Sequence, residues 1–296
     1  LACLERAAEG KMDAALILGG NLYQATPNSV WAKQALDKVG FKVYLTTTLN
    51  AGHVHVCDNS DALILPVMAR DEEAQPTTQE SMFNYVRLSD GGITRLAHVR
   101  SEVDILTSIA VKTLPPEQFD MSVFKSHQSI RETIANVVPG MEELADISVA
   151  KHEFHVRNRV MHTPEFKTDN GKGQFVVHPL IDNSKADYPF TLMSVRSEGQ
   201  FNSIIYEEND SYRGVDNRWT VLLNPDDMKA MALSAGDKID VASAHGVMKS
   251  VHAQPFDIPQ GNVMAYYPEA NVLIGLERDK RSHTPAFKSV SVKLVY

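Results

Sequence analysis

The hydrophobic pattern divides the chain into an α/β segment and a later run of short strands. Three short apolar runs, each typical of a buried strand in a parallel sheet, occur at residues 15–18, 41–45 and 62–65. Between the first two, Trp31, Ala35 and Val39 recur every four residues, which predicts a helix ending at Gly40. A second helix is predicted over residues 101–112. Alternation of strand and helix predicts an open parallel sheet whose ligands bind at the carboxyl ends of the strands.

The second half of the chain has the pattern of a barrel or sandwich. Seven short runs of alternating or apolar residues are separated by turns, at residues 174–178, 190–195, 219–223, 238–242, 247–251, 263–267 and 289–295. Two stretches lack a clear period. We interpret residues 70–92 as a long polar loop and residues 115–172, with breakers at Pro115, Pro116 and Pro139, as a connection between domains.

Composition narrows the class of protein. The net charge of −8 over 296 residues argues against a nucleic-acid partner or an anionic membrane surface. Cys3 and Cys57 are too few for a disulfide framework, a zinc site or an iron–sulfur site of four cysteines, which favours a cytoplasmic location. Neither a targeting signal nor a long apolar run is visible. Because Leu1 stands inside an amphipathic helical pattern without a cap, we expect the chain to begin within a longer protein.

Polar residues follow two of the predicted strands. Gly20 and Asn21 come after the first strand, and Thr47, Thr48 and Asn50 come after the second. Backbone amides and small polar side chains at such a sheet edge suit phosphate and ribose oxygens. Gly, Thr and Asn are also the ordinary residues of turns, so this pattern alone favours a structural role.

The loop over residues 70–92 is a stronger candidate for function. It is long and polar, and the apolar pair Met82 and Phe83 follows its acidic part. Loops of this length inside an α/β unit are commonly functional. A carboxylate here could accept hydrogen bonds from the N1–H and amino edge of a guanine.

A His-x-His pair raises the alternative of a metal site. On a strand, His53 and His55 would point to the same face. The remaining histidines are scattered, so a structural or ligand-side role for His53 is favoured over metal binding. Phosphate-binding Walker loops, dinucleotide Gly-x-Gly-x-x-Gly turns and Gly-x-Ser-x-Gly nucleophile elbows do not occur in the sequence.

The order of these segments resembles the molybdopterin oxidoreductase family, and within it the formate-dehydrogenase-like alpha subunits. The segments that carry the resemblance are residues 19–21, 46–50, 65–66, 72–73, 77–81, 168–175, 224–241, 267–273 and 284–288. No single segment is decisive, whereas their shared order over nearly the whole chain is specific.

The resemblance implies a Rossmann-like α/β segment followed by a six- to seven-stranded double-psi β-barrel. Residues 1–125 would be the end of a Rossmann-like molybdopterin-guanine-dinucleotide domain, residues 126–170 an interdomain linker and residues 171–296 the barrel. The implied cofactor is bis-molybdopterin guanine dinucleotide with molybdenum. Any iron–sulfur cluster would lie outside this chain. Neither a catalytic residue nor a protein ligand to the metal can be assigned within it.

The same resemblance implies a set of cofactor-binding residues. From the α/β segment and its loop they are Gly20, Asn21, Thr47, Thr48, Asn50, Glu72, Thr78 and Gln79, and from the barrel they are Arg196, Ser197, Gln200, Asn202, Asn271 and Lys288. Guanidinium and ammonium groups pair with diphosphate, and amides match the mixed edge of a pterin. Each residue also has a plain alternative: Arg196 as a surface cation, Asn271 as a turn former and Lys288 as a solvated strand end.

The sequence thus predicts the cofactor-binding half of a molybdenum-dependent oxidoreductase that oxidises formate or a related small substrate by two electrons. Its partners would be the missing N-terminal half, the substrate and an electron-transfer subunit. Alone, the chain is expected to be incomplete and inactive. The alternative is a non-catalytic module that binds the molybdenum cofactor or a protein partner.

Overall fold

The computed structural model describes residues 1–55, 60–81, 84–157, 165–179, 187–200, 204, 207 and 209–296. The chain divides into two compact units. One contains residues 1–44, 49–64 and 180–296, and the other contains residues 45–48 and 65–179.

The α/β segment begins with helices and strands in alternation. They are α1 Ala2–Ala8, β1 Ala14–Leu18, α2 Leu22–Ala25, α3 Ser29–Asp37, β2 Phe41–Thr46, α4 Ala51–His55 and β3 Asp61–Pro66, with the strands hydrogen-bonded in the order β1-β2-β3. The Asn28 side chain caps α3 by accepting from Trp31 N at 3.1 Å. Ala35, Leu36 and Val39 are buried with α1 in one core. The predicted strands and the helix between them are therefore present.

The second unit has more regular structure than the sequence pattern indicates. Its elements are β4 Thr77–Glu80, β5 Tyr85–Ser89, α5 Glu102–Thr113, α6 His127–Val137, α7 Ile147–Ala150 and β6 Phe154–His155, with short 3-10 turns between them. The interpretation of residues 70–92 as a loop is wrong, because β4 and β5 pair as an antiparallel hairpin. The expected connection over residues 115–172 contains α6 and α7, whose short, mixed sequences hide their period.

The second half of the chain closes into a barrel. Its elements are β7 Phe190–Val195, β8 Thr220–Leu223, α8 Pro225–Ala230, β9 Lys238–Ser243, β10 Val247–Pro255, β11 Asn262–Tyr266 and β12 Val290–Val295. Among the described residues six strands close in the order β10-β8-β11-β7-β12-β9. Alternate apolar side chains point inward, and Leu192, Val221, Val241, Val251 and Val263 are fully buried there.

One difference from the expected barrel is plain. The strand predicted at residues 174–178 is absent from the described chain, and Phe175 and Val177 are exposed in an extended segment. Apolar alternation is insufficient there, because no neighbouring strand pairs with the segment.

None of the helices in the described ranges has the length and apolar character that crossing a membrane requires.

Candidate functional site

The carboxyl ends of β7 and β11 lie side by side at one end of the barrel. These strands are parallel, with Val195 opposite Tyr266. Beyond β7 the chain turns, and the side chains of Ser197 and Gln200 are buried in this turn. The Gln200 side-chain amide donates to the Tyr267 carbonyl at 2.8 Å. The turn after β7 is therefore bonded to the chain that leaves β11.

Several cationic side chains gather at this barrel end, and we call three of them, Arg196, Arg213 and Lys288, the cation group. The Arg196 guanidinium carbon lies 5.5 Å from the centre of the Tyr267 ring, and Arg213 Nη1 donates to the Arg196 carbonyl at 3.0 Å. The Lys288 ammonium donates to the Ser194 carbonyl. Partial burial, followed by the charges of Arg196 and Arg213, lowers the pKa of Lys288 below its ordinary 10.5. Cations held this close favour a polyanionic ligand.

Asp210 holds one member of the cation group, Arg213, in place through its side chain. Its buried carboxylate accepts from Arg213 Nη1 at 2.6 Å and from the Tyr266 hydroxyl at 2.8 Å. It also accepts from the backbone amides of Glu198 and Tyr212 at 3.3 and 3.2 Å. Burial alone would raise the pKa of Asp210, but the hydrogen bonds from Arg213 and Tyr266 lower it overall. The carboxylate stays ionised and neutralises only part of the positive charge.

Asn271 lies in a fully buried turn after β11. Its side-chain nitrogen donates to the carbonyls of Gln24 and Thr26 at 2.6 and 3.2 Å, and its own carbonyl accepts from Asn28 N at 2.7 Å. Asn271 Oδ1 is buried without a hydrogen-bond partner. Because buried acceptors are nearly always paired, this oxygen fits an amino or N–H donor of a bound pterin.

The polar residues that follow β1 and precede α4 lie together at one corner of the α/β segment and hydrogen-bond within it. The Asn21 side chain accepts from Gln24 N at 3.0 Å, and Asn50 Nδ2 donates to the Gly20 carbonyl at 3.0 Å. A Cβ on Gly52 would lie 2.7 Å from Asn21 Oδ1, so the close approach requires glycine. The cavity at this corner has a volume of about 10 Å³, room for one water at most. Asn21 and Asn50 thus use their amides internally.

The candidate residues of the segment over residues 70–92 lie in different environments. Glu72 Oε2 accepts from Ala69 N at 2.8 Å and caps a 3-10 turn. Gln79 is exposed and accepts from Arg70. Thr78 faces a cavity of about 350 Å³ within the second unit.

We call this space the acidic cavity, because two carboxylates face it. Its principal polar residues are Thr47, Glu73, Thr78, Glu102, His127 and Arg131. Thr48, beside Thr47, is exposed. Met68, Val103, Ile130 and Ile134 supply apolar walls. An apolar space with a few convergent polar groups is the usual form of a small-molecule site.

The charged side chains that line the acidic cavity differ in how fully neighbouring groups pair with them. Glu73 is buried, and His127 Nε2 lies 3.9 Å from its Oε2 atom. Burial, and then the charge of Glu73, raise the pKa of Glu102. Arg131 Nη1 donates to the Pro76 carbonyl at 2.7 Å, whereas its Nε is buried without a partner. Carboxylate acceptors beside an unused donor suit a planar, hydrogen-bonding ligand.

Sequence reasoning missed three residues of this cavity and one of the barrel: Glu102, His127, Arg131 and Arg213. Glu73 lies within the loop that the resemblance selects, beside Glu72. The others lie far apart in sequence, and periodicity carries no information on which helix faces which strand end. Asn202, together with Met82, Phe83 and Cys57, lies outside the described residues.

The His-x-His pair does not form the imagined strand. His53 and His55 lie in α4, and His53 Nδ1 accepts from Asn50 N at 3.0 Å. Burial lowers the pKa of His53, and its ring meets Tyr44 edge-on at 5.0 Å. Among the described residues, no group of three or more His, Cys, Asp or Glu side chains is placed to hold a metal ion. The geometry around His53 is that of a packed, hydrogen-bonded imidazole.

Comparison with known proteins identifies the barrel. Residues 190–291 match the Molydopterin dinucleotide binding domain. The match includes Arg196, Asn271 and Lys288. It confirms the predicted cofactor, bis-molybdopterin guanine dinucleotide with molybdenum.

Longer similarities cover nearly the whole chain. An uncharacterized oxidoreductase of Mycobacterium tuberculosis is 31% identical over 99% of this chain, which spans 40% of that relative. The alpha subunit of an F420-dependent formate dehydrogenase of Methanocaldococcus jannaschii is 26% identical over 48% of this chain and 22% of its own length. Acetylene hydratase from Pelobacter acetylenicus has a similar fold, with a TM-score of 0.66, 15% identity, and coverage of 99% and 46%. The barrel thus matches a molybdopterin-dinucleotide-binding domain, and the chain that contains it is similar over nearly its whole length to part of a larger oxidoreductase.

Proposed function

We propose that this chain is the cofactor-holding part of a molybdenum-dependent oxidoreductase. The observation that carries the proposal is the cation group, which stands at one end of a barrel matched to the dinucleotide-binding family. Arg196, Arg213 and Lys288 would pair with the diphosphate of a guanine dinucleotide. The buried turn with Ser197 and Gln200, and the unpaired Asn271 Oδ1, would face its pterin. Asn202 is proposed for the same role on the resemblance alone.

The acidic cavity supports a second part of the proposal. A guanine presents N1–H and a 2-amino group on one edge, and carboxylates accept from both. Glu73 and Glu102 offer such acceptors, and the unpaired Thr77 Oγ1 and Arg131 Nε offer further partners. We propose that this cavity takes a guanine base, with Thr47 and Thr78 at its rim. Thr48, Glu72 and Gln79 would support these contacts by shaping the surrounding loops, whereas Gly20, Asn21 and Asn50 are proposed as cofactor-binding residues on the resemblance alone.

The bound molybdenum group would supply two-electron redox chemistry, and this chain's residues would bind it, orient it and keep water away. We propose formate or a related small substrate, which the partial similarity to a formate dehydrogenase subunit supports. The remaining sequence of the longer relatives would provide the metal ligand, and an electron-transfer subunit in the cytoplasm would be the partner. In this proposal the β1-β2-β3 sheet is Rossmann-like and the barrel is of the double-psi type.

Base selectivity tests the proposal for the acidic cavity. We expect the chain to bind guanosine better than inosine, which lacks the 2-amino group, and better than adenosine, in calorimetric titrations. Glu102→Gln should weaken guanosine binding by about tenfold, since one charge-assisted acceptor is lost. Glu117→Gln is the matched control, because Glu117 is exposed and outside the cavity. Equal binding of guanosine and adenosine would exclude a guanine-specific site.

A turnover assay distinguishes an enzyme from a non-catalytic binding module. In the full-length protein, formate-dependent reduction of an artificial electron acceptor supports the enzyme. Stoichiometric cofactor without turnover of formate or related small substrates would favour the binding module.

A further inference from the structure

We propose that Arg218 is a positioning residue that orients Arg196 for the diphosphate of the cofactor; this inference rests on the proposed function. Arg218 lies just before β8, and its guanidinium is largely buried between the turn after β7 and the chain after β11. It contacts two segments that carry cofactor-binding residues.

The guanidinium of Arg218 is anchored on one side by a carboxylate. Its Nε donates to Glu269 Oε1 at 2.8 Å and its Nη2 donates to Glu269 Oε2 at 3.0 Å. This two-pronged pairing fixes the plane of the guanidinium. The ring of Tyr266 lies 4.8 Å from the Arg218 guanidinium carbon and supports one face.

The remaining donors of Arg218 hold the two segments together. Nη1 donates to Ser197 Oγ at 2.7 Å, and Nη2 donates to the Tyr267 carbonyl at 2.6 Å. Ser197 directly follows Arg196, and the Tyr267 ring lies beside the Arg196 guanidinium. Arg218 therefore holds the side chain of the residue that follows Arg196 and the backbone of Tyr267, the residue whose ring lies beside the Arg196 guanidinium.

A lysine cannot replace this arrangement. Its ammonium is a point charge with three donors, so it keeps the positive charge but loses the fork that spans Glu269, Ser197 and Tyr267. Arg218→Lys should leave the net charge of the barrel end unchanged while releasing the Arg196 side chain. Under this proposal, the substitution weakens ligand binding because it releases the Arg196 side chain.

The test is calorimetric titration of the 296-residue chain with inorganic pyrophosphate. We expect Arg218→Lys to weaken binding about tenfold, as expected for loss of one well-oriented cation–phosphate contact. In an Arg196→Ala background, Arg218→Lys should cause less than about a twofold further loss, because coupled residues are not additive. Arg278→Lys is the matched control, since Arg278 also pairs with a carboxylate, Glu5, at 3.0 Å, and it should bind like wild type.

Three results would overturn the inference. Unchanged pyrophosphate affinity in Arg218→Lys, with a lowered melting temperature, would assign Arg218 a structural role only. An equal loss with and without Arg196 would show that Arg218 does not act through it. Failure of the wild-type chain to bind pyrophosphate would overturn the proposed diphosphate site as well. If Arg218→Lys does not fold, Glu269→Gln takes its place, because it weakens the pairing that anchors the Arg218 guanidinium. Its pyrophosphate affinity is then compared with that of wild type, with and without Arg196→Ala.

Discussion

At the scale of single residues, proximity of like charges decides the chemistry of the barrel end. Burial, and then repulsion from the charges of Arg196 and Arg213, lower the pKa of Lys288, and Asp210 offsets only part of this repulsion by pairing with Arg213. A bound diphosphate relieves this repulsion. The cation group is therefore more favourable as a binding site than as a structural cluster.

Binding of pyrophosphate should depend on the charge of Lys288. Because its pKa is lowered, Lys288 loses its proton, and its attraction for the anion, at a lower pH than an ordinary lysine. We expect affinity to fall as pH rises through that pKa, by at most about tenfold per pH unit. Lys288→Arg remains charged throughout and should bind with a flatter pH profile. Identical profiles for wild type and Lys288→Arg would contradict this role.

Asn271 should contribute to stability as well as to the proposed pterin site. Asn271→Ala removes the donor from the carbonyls of Gln24 and Thr26 and leaves them buried. We expect the free energy of unfolding to fall by about 2 kcal/mol in urea denaturation. Asn209→Ala, at an exposed asparagine, should change it by less than about 0.5 kcal/mol. A loss in Asn271→Ala no larger than that control would remove the structural role.

At the scale of elements, the sequence predicted the strands better than their surroundings. The three strands of the sheet follow short apolar runs and the six of the described barrel follow apolar or alternating runs, both of which are local properties. The β4–β5 hairpin was missed because Thr77–Glu80 is polar throughout, and its pairing with Tyr85–Ser89 supplies what propensity does not. Likewise, Arg196 could be chosen from a motif, whereas Glu102 and Arg131 became site candidates only after the fold brought them together.

The β9–β10 turn fixes the segment that carries Asn271. Ser243 Oγ donates to the Leu273 carbonyl at 2.8 Å, and a Cβ on Gly246 would lie 2.2 Å from the carbonyl oxygen of Val272. We expect Gly246→Ala to lower the free energy of unfolding by about 1–3 kcal/mol through this overlap. Gly40→Ala, whose Cβ would meet Asp13 O at 3.4 Å, is the control. Equal effects of the two substitutions would contradict the close approach at Gly246.

At the scale of the whole molecule, each unit contributes one recognisable set of groups. The barrel unit presents the cation group and the unpaired Asn271 Oδ1, and the second unit presents the acidic cavity. Each unit is matched by itself: the cations of the barrel unit suit a diphosphate, and the carboxylates of the second unit suit a guanine edge. The chain spans 40% of its mycobacterial relative, so the complete reaction is a property to be tested in the full-length protein.

The most direct measurement is the guanine nucleotide and molybdenum content of the full-length protein, purified from a host that makes the molybdenum cofactor. Acid release of GMP, quantified by chromatography, and metal analysis should give about two guanine nucleotides and one molybdenum per chain for the bis-dinucleotide cofactor. Replacing Arg196 by alanine should lower both values together while the protein stays folded. Wild-type protein that contains neither guanine nucleotide nor molybdenum would contradict the account.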